Sequence, residues 1–498
     1  MRAQRVPEVP PPRLVFDDLR PTVDAQLNDP LIVEAGKRYA RIGRDLPNLG
    51  RTQVGDEGQT RRCLVEAAQH DGSDLRRTVL ADGRVIVCGG EYSDASPVVQ
   101  DETAVSEIYD PVANSWSSIT PPAGWTQIGD GACTVLADGR FLLGNAINNL
   151  TSVWDPATGT WSPSVGKNDN TSEESWVLLP DGSVLAPECQ GAPASEKYIP
   201  GAVGTAGSWQ VDSNVPVNLV ETSSLEIGPG ILLNDGRAFF VGATNQTALY
   251  TPPAIRTNNG TWNAGPVFPN INRQTLGIKD GPGCLMPSGN VLLGAAPVDG
   301  KVNSFLSPTY FFEFDGTNLN RTTDPPTSDT PVFMGRMLLI PTGEVLFARE
   351  DSADVYGYRE ENARIQGSWR PVVTQCPQGI QRGTTIVLEG RQFNGLSQAV
   401  GYGDDAWSPT NYPLVRIVNR ATGHVRYCRT HDHTTTDAAG NTVTSMGVAT
   451  GAALIQTRVD IPADIEIGDS LLFVVANAIE SEPCNVVIFD ERKRPEGA

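Results

Sequence analysis

Histidine is nearly missing from this sequence: four residues in 498, none between His70 and His424. An imidazole-based metal or acid–base centre is therefore excluded over most of the chain. The eight cysteines show no CxxC spacing, which argues against a zinc site. No apolar run reaches the length of a membrane span. Charged residues are only 19% of the total, and acids outnumber bases 58 to 38, for a net charge of −20. No basic stripe is available for a nucleic-acid backbone. Long helical patterns are absent, as are a Gly-x-Ser-x-Gly elbow and a phosphate loop. Met1 to Arg13 is basic and proline-rich with no apolar stretch behind it, so it does not read as a signal peptide. The compartment stays open; an extracellular, cell-surface or virion-associated setting is expected.

What is abundant is turn chemistry, with 50 Gly and 38 Pro. The stretch Val79 to Gly90 reads as a hairpin: an apolar strand end, a turn at Asp82-Gly83 and a second apolar strand. The pattern returns around Asp138-Gly139, Asp181-Gly182, Asp235-Gly236, Ser288-Gly289 and Thr342-Gly343. Successive turns lie roughly 43 to 56 residues apart, a spacing that predicts a repeat fold of the kelch β-propeller type. A second signature follows each hairpin: an aromatic, a turn, then usually Trp. Tyr109 with Trp116, Trp154 with Trp161, Tyr198 with Trp209, Tyr250 with Trp262 and Tyr356 with Trp369 are its instances, and Tyr310 to Phe312 is a copy without the Trp. Two hairpins per repeat make one four-stranded blade, and the aromatics are expected to supply apolar area between neighbouring blades.

The expected architecture is all-β. Residues 1–30 are an extended arm, 31–370 a kelch propeller and 371–498 an immunoglobulin-like β-sandwich. Six blades are clear over 74–370. Residues 31–70, with apolar stretches at Leu31 to Val33 and Cys63 to Val65, are either a degenerate seventh blade or a segment packed beside one.

A propeller followed by an immunoglobulin-like domain resembles the galactose oxidase and glyoxal oxidase superfamily, within it a bacterial kelch group of unclear function. The residues carrying this resemblance are Gly124 to Asp130, Ser172 to Trp176, Ser224 to Pro229, Tyr310 to Asp315, Tyr402 to Asp405, Thr410 to Val415 and Met446 to Gly451. Copper-radical members of that superfamily need a Tyr-His pair just before the last blade's inner hairpin and a His from the C-terminal domain. The corresponding places hold Met334 and Phe333, and Asp404 to Trp407 follow Tyr402-Gly403. No copper is expected.

The register of the turns picks out acids instead. Eight residues before the turn stand Asp74, Asp130, Glu173 and Asp280, and Glu226 falls nine before its own. Inner strands line a propeller's axis, so equivalent positions form a ring. Asp404 and Asp405 would join it if the C-terminal domain docks as in the resembled proteins. Such a ring needs cations: Ca²⁺ or Mg²⁺ on oxygen ligands, or the internal Arg76, Lys279 and Arg336. Solvated acids at strand ends are the plain alternative. In the pair Glu173-Glu174, one side chain must point away from the axis. His431 and His433, two apart on a strand, are a second metal candidate, and the insert Thr434 to Ser445 after them reads as an exposed hairpin tip. Cys88, Cys133 and Cys189 read as buried free thiols; one disulfide among Cys376, Cys428 and Cys484 is open.

The function expected is a non-catalytic binding or structural protein contacting a protein or glycan, with the arm as a tether to a larger assembly. A carboxylate-based enzyme acting on sugars through Glu174 and Asp280 is the alternative, and a copper-radical oxidase the least expected.

Overall fold

The computed structural model describes residues 76–491, apart from 94–98, 172, 350–351, 353, 361–362 and 403–407. The arm, the stretch 31–70, Asp74, Asp404 and Asp405 lie outside the described residues.

Six antiparallel sheets follow one another in chain order, each built outward from an inner strand. The inner strands are Arg76–Val79, Cys133–Val135, Val177–Leu178, Gly230–Leu232, Gly283–Leu285 and Gly335–Leu339, each packed against the next. This is a six-bladed β-propeller. Blades one, three and four have four strands; the sixth has three, ending at Val355–Tyr358. No helix among the described residues is long and apolar enough to cross a membrane.

The repeated Asp-Gly is a three-residue hairpin loop rather than a two-residue one. In the first blade the Gly83 amide donates to the Leu80 carbonyl at 2.9 Å, and the Leu80 amide donates to Arg84 at 2.8 Å. Gly83 then occupies the left-handed region at φ 86°, as a type I turn closed by a glycine bulge requires. The preceding acid has its own task, because Asp82 Oδ1 accepts the Arg84 amide at 2.9 Å. Asp138, Asp181, Asp235 and Ser288 accept the equivalent amides, which is why Asp or Ser precedes the glycine.

The aromatic signature lies on the two outer strands. Tyr109 faces Trp116, Trp154 faces Trp161, Tyr198 faces Trp209 and Tyr250 faces Trp262 in register, with ring centroids 5.0–5.5 Å apart. These rings pair within a blade rather than only between blades. The indole N–H makes the link outward: Trp161 donates to Thr120 O, Trp209 to Thr151 Oγ1 and Trp262 to Ser195 Oγ, each in the preceding blade.

The C-terminal part is a ten-stranded sheet curled around a core that includes Leu388, Val415, Ile417, Val459, Leu472 and Val486. Its first strand is Val372–Val373 and its last Cys484–Phe489. It packs on the turn end of the blades: Arg429 donates to Asp82 O at 3.0 Å and the Met446 amide to Ala137 O at 2.8 Å. The hairpin through Thr434 to Ser445 forms as expected, exposed over its tip. From this unit, residues 396–402 run back along the inner strands. Val400–Gly401 pairs with Gly283–Cys284, and Gln398 contacts Thr134 at 3.0 Å. The axis is therefore occupied by the chain itself.

Candidate functional site

Each inner strand runs from one mouth of the propeller to its hairpin turn, so residues just before these strands collect at the mouth opposite the C-terminal sheet. There the structure brings Glu173, Glu226 and Asp280 together, from blades three, four and five, with carboxylate oxygens all within 4.8 Å of one another. Two of the three sit in left-handed backbone: Glu173 has φ 57° and Asp280 φ 50°, uncommon for glutamate and better tolerated by aspartate. Glu226 is buried and paired through its backbone with Glu221. Asp130, from blade two, is not a member of this group. Carboxylates at this separation disfavour each other's charge and form an oxygen-rich donor set suited to a hard divalent cation.

Glu174 is a correction to the expected ring. Its side chain is completely buried away from the axis, in the loop before Val177–Leu178, where Lys167 Nζ donates to it at 2.6 Å and Trp176 Nε1 at 2.9 Å. Lys167, also fully buried, bonds Asp169 at 2.5 Å and stands 3.6 Å from Glu196. Glu188 joins through Asn168 Nδ2 at 3.3 Å. Three carboxylates thus meet one ammonium, with Glu188 beside them on Asn168. Burial opposes the charge on Lys167, but Glu174 and Asp169 outweigh it and hold its pKa above the ordinary lysine value. Burial drives Glu174 well above the usual carboxylate range, against the pull of Lys167. Glu188 is pushed up to about 7 by burial, then by the charges of Asp169 and Glu196.

Of the expected internal cations, Lys279 goes elsewhere, Arg336 stays at the end of the axial segment, and the Arg76 side chain lies outside what the structure describes. Lys279 is turned away from the axis, 3.7 Å from Glu221 and 4.6 Å from the centre of the Phe305 ring. Glu221 is held down to about 2, the hydrogen bonds of Ser223 and Ser224 overcoming burial. Arg336 donates to the Tyr402 hydroxyl at 2.8 Å and lies over its ring at 4.3 Å. Tyr402 is buried, donates to Phe333 O and ends the axial segment.

The structure does not set the two histidines on one strand face. Asp432 has φ 52°, and the strand register shifts between His431 and Thr434, so the two-residue period is broken. His431 contacts Asp432 at 2.8 Å and Asp460 at 3.3 Å. His433 is fully buried, with Nδ1 against Thr457 Oγ1 at 2.9 Å, and burial lowers its pKa to about 3. Both lie at the turn end, where the Asp432 amide donates to Ala81 O. Among the described residues, the donors gathered at the mouth are carboxylates, and Phe333 and Met334 stand on the last blade.

The fold and mouth define the class: a six-bladed β-propeller with an axis filled from its own C-terminal β unit and an acidic mouth at the opposite end. No family model matches this chain, and no curated protein does. Among solved structures, it is similar to a fungal alcohol oxidase of the AA5 family, described in complex with copper, at 14% identity over 84% of this chain and 86% of that one, with a TM-score of 0.46. A Lactobacillus plantarum protein matches at 13% identity over 58% of this chain and 82% of that one, TM-score 0.42. A catalytically inactive virginiamycin B lyase from Staphylococcus aureus, with quinupristin, matches at 12% over 58% and 95%, TM-score 0.34.

Proposed function

We propose that this chain is a non-catalytic binding protein of galactose oxidase-like architecture, built from kelch repeats and an immunoglobulin-like C-terminal domain. Its acidic mouth holds a divalent cation, Ca²⁺ or Mg²⁺, and the cation-bearing face receives a glycan or protein partner. The observation that carries the reading is the convergence of Glu173, Glu226 and Asp280 within 4.8 Å from three separate blades. Oxygen donors at that spacing are what a hard cation takes, and its remaining ligand positions are open to hydroxyls or carboxylates of a partner.

The alternative of two-carboxylate sugar chemistry is weaker. Glu174 has no access to a substrate, being fully buried beside Lys167. The test is calorimetric titration of the full chain with CaCl₂ and, separately, MgCl₂. The wild type is expected to bind one equivalent and Glu226→Gln to lose at least tenfold in affinity. Absence of binding at millimolar cation would overturn the cation site. A glycan array run with and without EDTA then tests the partner.

A further inference from the structure

Of the three cysteines between which the sequence leaves a disulfide open, the structure separates one from the other two. Cys428 is completely buried in the core of the C-terminal sheet, on the strand Val425–Thr436. Cys376 and Cys484 instead meet at its edge. The strand Gly379–Gln381 pairs in parallel with the last strand, Gly379 opposite Val487 and Gln381 opposite Phe489. The Val487 amide also donates to Gln378 O at 2.9 Å, extending the pairing backward. Carried back three residues on both strands, this register sets Cys376 opposite Cys484. A direct contact agrees: Cys376 Sγ lies 3.8 Å from the carbonyl of Asn485, the residue after Cys484. The Cys376 thiol is also near enough to Cys484 to raise its pKa. Neighbouring strands run about 4.8 Å apart, inside the Cα window of about 4.4–6.8 Å that a disulfide spans.

We propose that Cys376 and Cys484 form a disulfide-forming pair, a covalent staple between the strand Gly379–Gln381 and the last strand of the C-terminal sheet. Both are free thiols in this structure, Cys376 exposed and Cys484 buried. The asymmetry assigns their roles. With a small disulfide such as oxidised glutathione, the Cys376 thiolate attacks one sulfur and expels glutathione thiolate, leaving a mixed disulfide on Cys376. The Cys484 thiolate then attacks the Cys376 sulfur and expels the second glutathione. Two protein thiols become one disulfide, and one oxidised glutathione becomes two reduced ones. Burial and the neighbouring Cys376 push the Cys484 thiol up to about 12, which makes the second step the slower one. The bridge would close a loop of roughly a hundred residues, the kind of closure that restricts an unfolded chain most. It falls on a three-residue parallel pairing, the weaker type of strand contact.

The full chain, equilibrated with oxidised glutathione, quenched in acid and digested without reduction, is expected to yield a Cys376–Cys484 cross-linked peptide. The intact mass should drop by about 2 Da, as loss of two hydrogens requires. Cys376→Ser should give neither the cross-link nor a glutathione adduct at position 484. The denaturation midpoint of oxidised wild type should fall on adding dithiothreitol, while that of Cys376→Ser should not move. A lasting glutathione adduct on Cys376, or both thiols remaining open to N-ethylmaleimide after oxidation, would overturn the proposal.

Discussion

Glu173 and Glu174 are neighbours in the chain and end in opposite electrostatic settings. One carboxylate goes to the axis, where it meets acids from the next two blades. The other is buried away from the axis, where a lysine meets three acids with Glu188 beside them. The first group is assembled across blades by residues at the starts of strands. The second is assembled from one stretch of chain, with Lys167 and Asp169 leading into blade three and Glu174, Glu188 and Glu196 within it. The difference teaches that composition alone does not make an acidic site. A cluster that carries its own ammonium is part of the fold. A cluster whose carboxylates converge from three separate blades gathers an oxygen donor set at one point of the axis.

The largest way to break this contrast is to remove the internal cation. Lys167→Met should destabilise the protein by about 3–5 kcal/mol, because it leaves Glu174 and Glu196 buried without their partner. Urea unfolding measures this, and adding Glu174→Gln in the same chain should recover part of the loss. A smaller effect lies in pH. The Glu188 carboxyl is raised in the folded protein to about 7, so between its unfolded value and pH 7 the folded state binds more protons than the unfolded one. Stability from this group is present at low pH and is lost as pH rises through about 7. Glu188→Gln should flatten the dependence between roughly pH 4.5 and 7 and raise the melting temperature at pH 8. A Glu188→Gln curve as steep as wild type would show that the buried network does not titrate there. The smallest effect is expected at the axis: without added cation, Glu173→Gln and Asp280→Asn should each stay within about 1 kcal/mol of wild type. A loss as large as that of Lys167→Met would erase the distinction between the two clusters.

The blades were readable in advance because their turns recur with the same chemistry: a side-chain acceptor, then a glycine at positive φ. The mouth was half readable. Counting back from the turns reached Glu173 and Asp280 at eight residues and Glu226 at nine, and the three converge. A strict strand period would have turned Glu226 the other way, but the left-handed residues Glu173 and Asp280 and the irregular backbone before Gly230–Leu232 reset the register. The same count also reached Asp130, which the structure leaves out of the group. Lys167 and its acids followed no spacing at all, since they come from a loop, a strand start, a strand end and an outer strand. One signal was present: Glu196-Lys197, two consecutive charges inside a strand whose neighbours are buried. Lys197 is likewise sunk, 2.9 Å from Asp212. The shared face expected for His431 and His433 is lost because the backbone bulges at Asp432.

The segment 396–402 also bears on how the molecule is put together in time. The inner strand Gly283–Leu285 finds its second partner more than a hundred residues later, at Val400–Gly401. Thr134 waits longer still for Gln398. All six blades, the last ending at Tyr358, come before the piece that fills their centre. Contacts so distant in sequence make folding slow. A chain stopped after the sixth blade would present its inner strands around an empty axis, so the propeller is completed by the part of the protein that follows it.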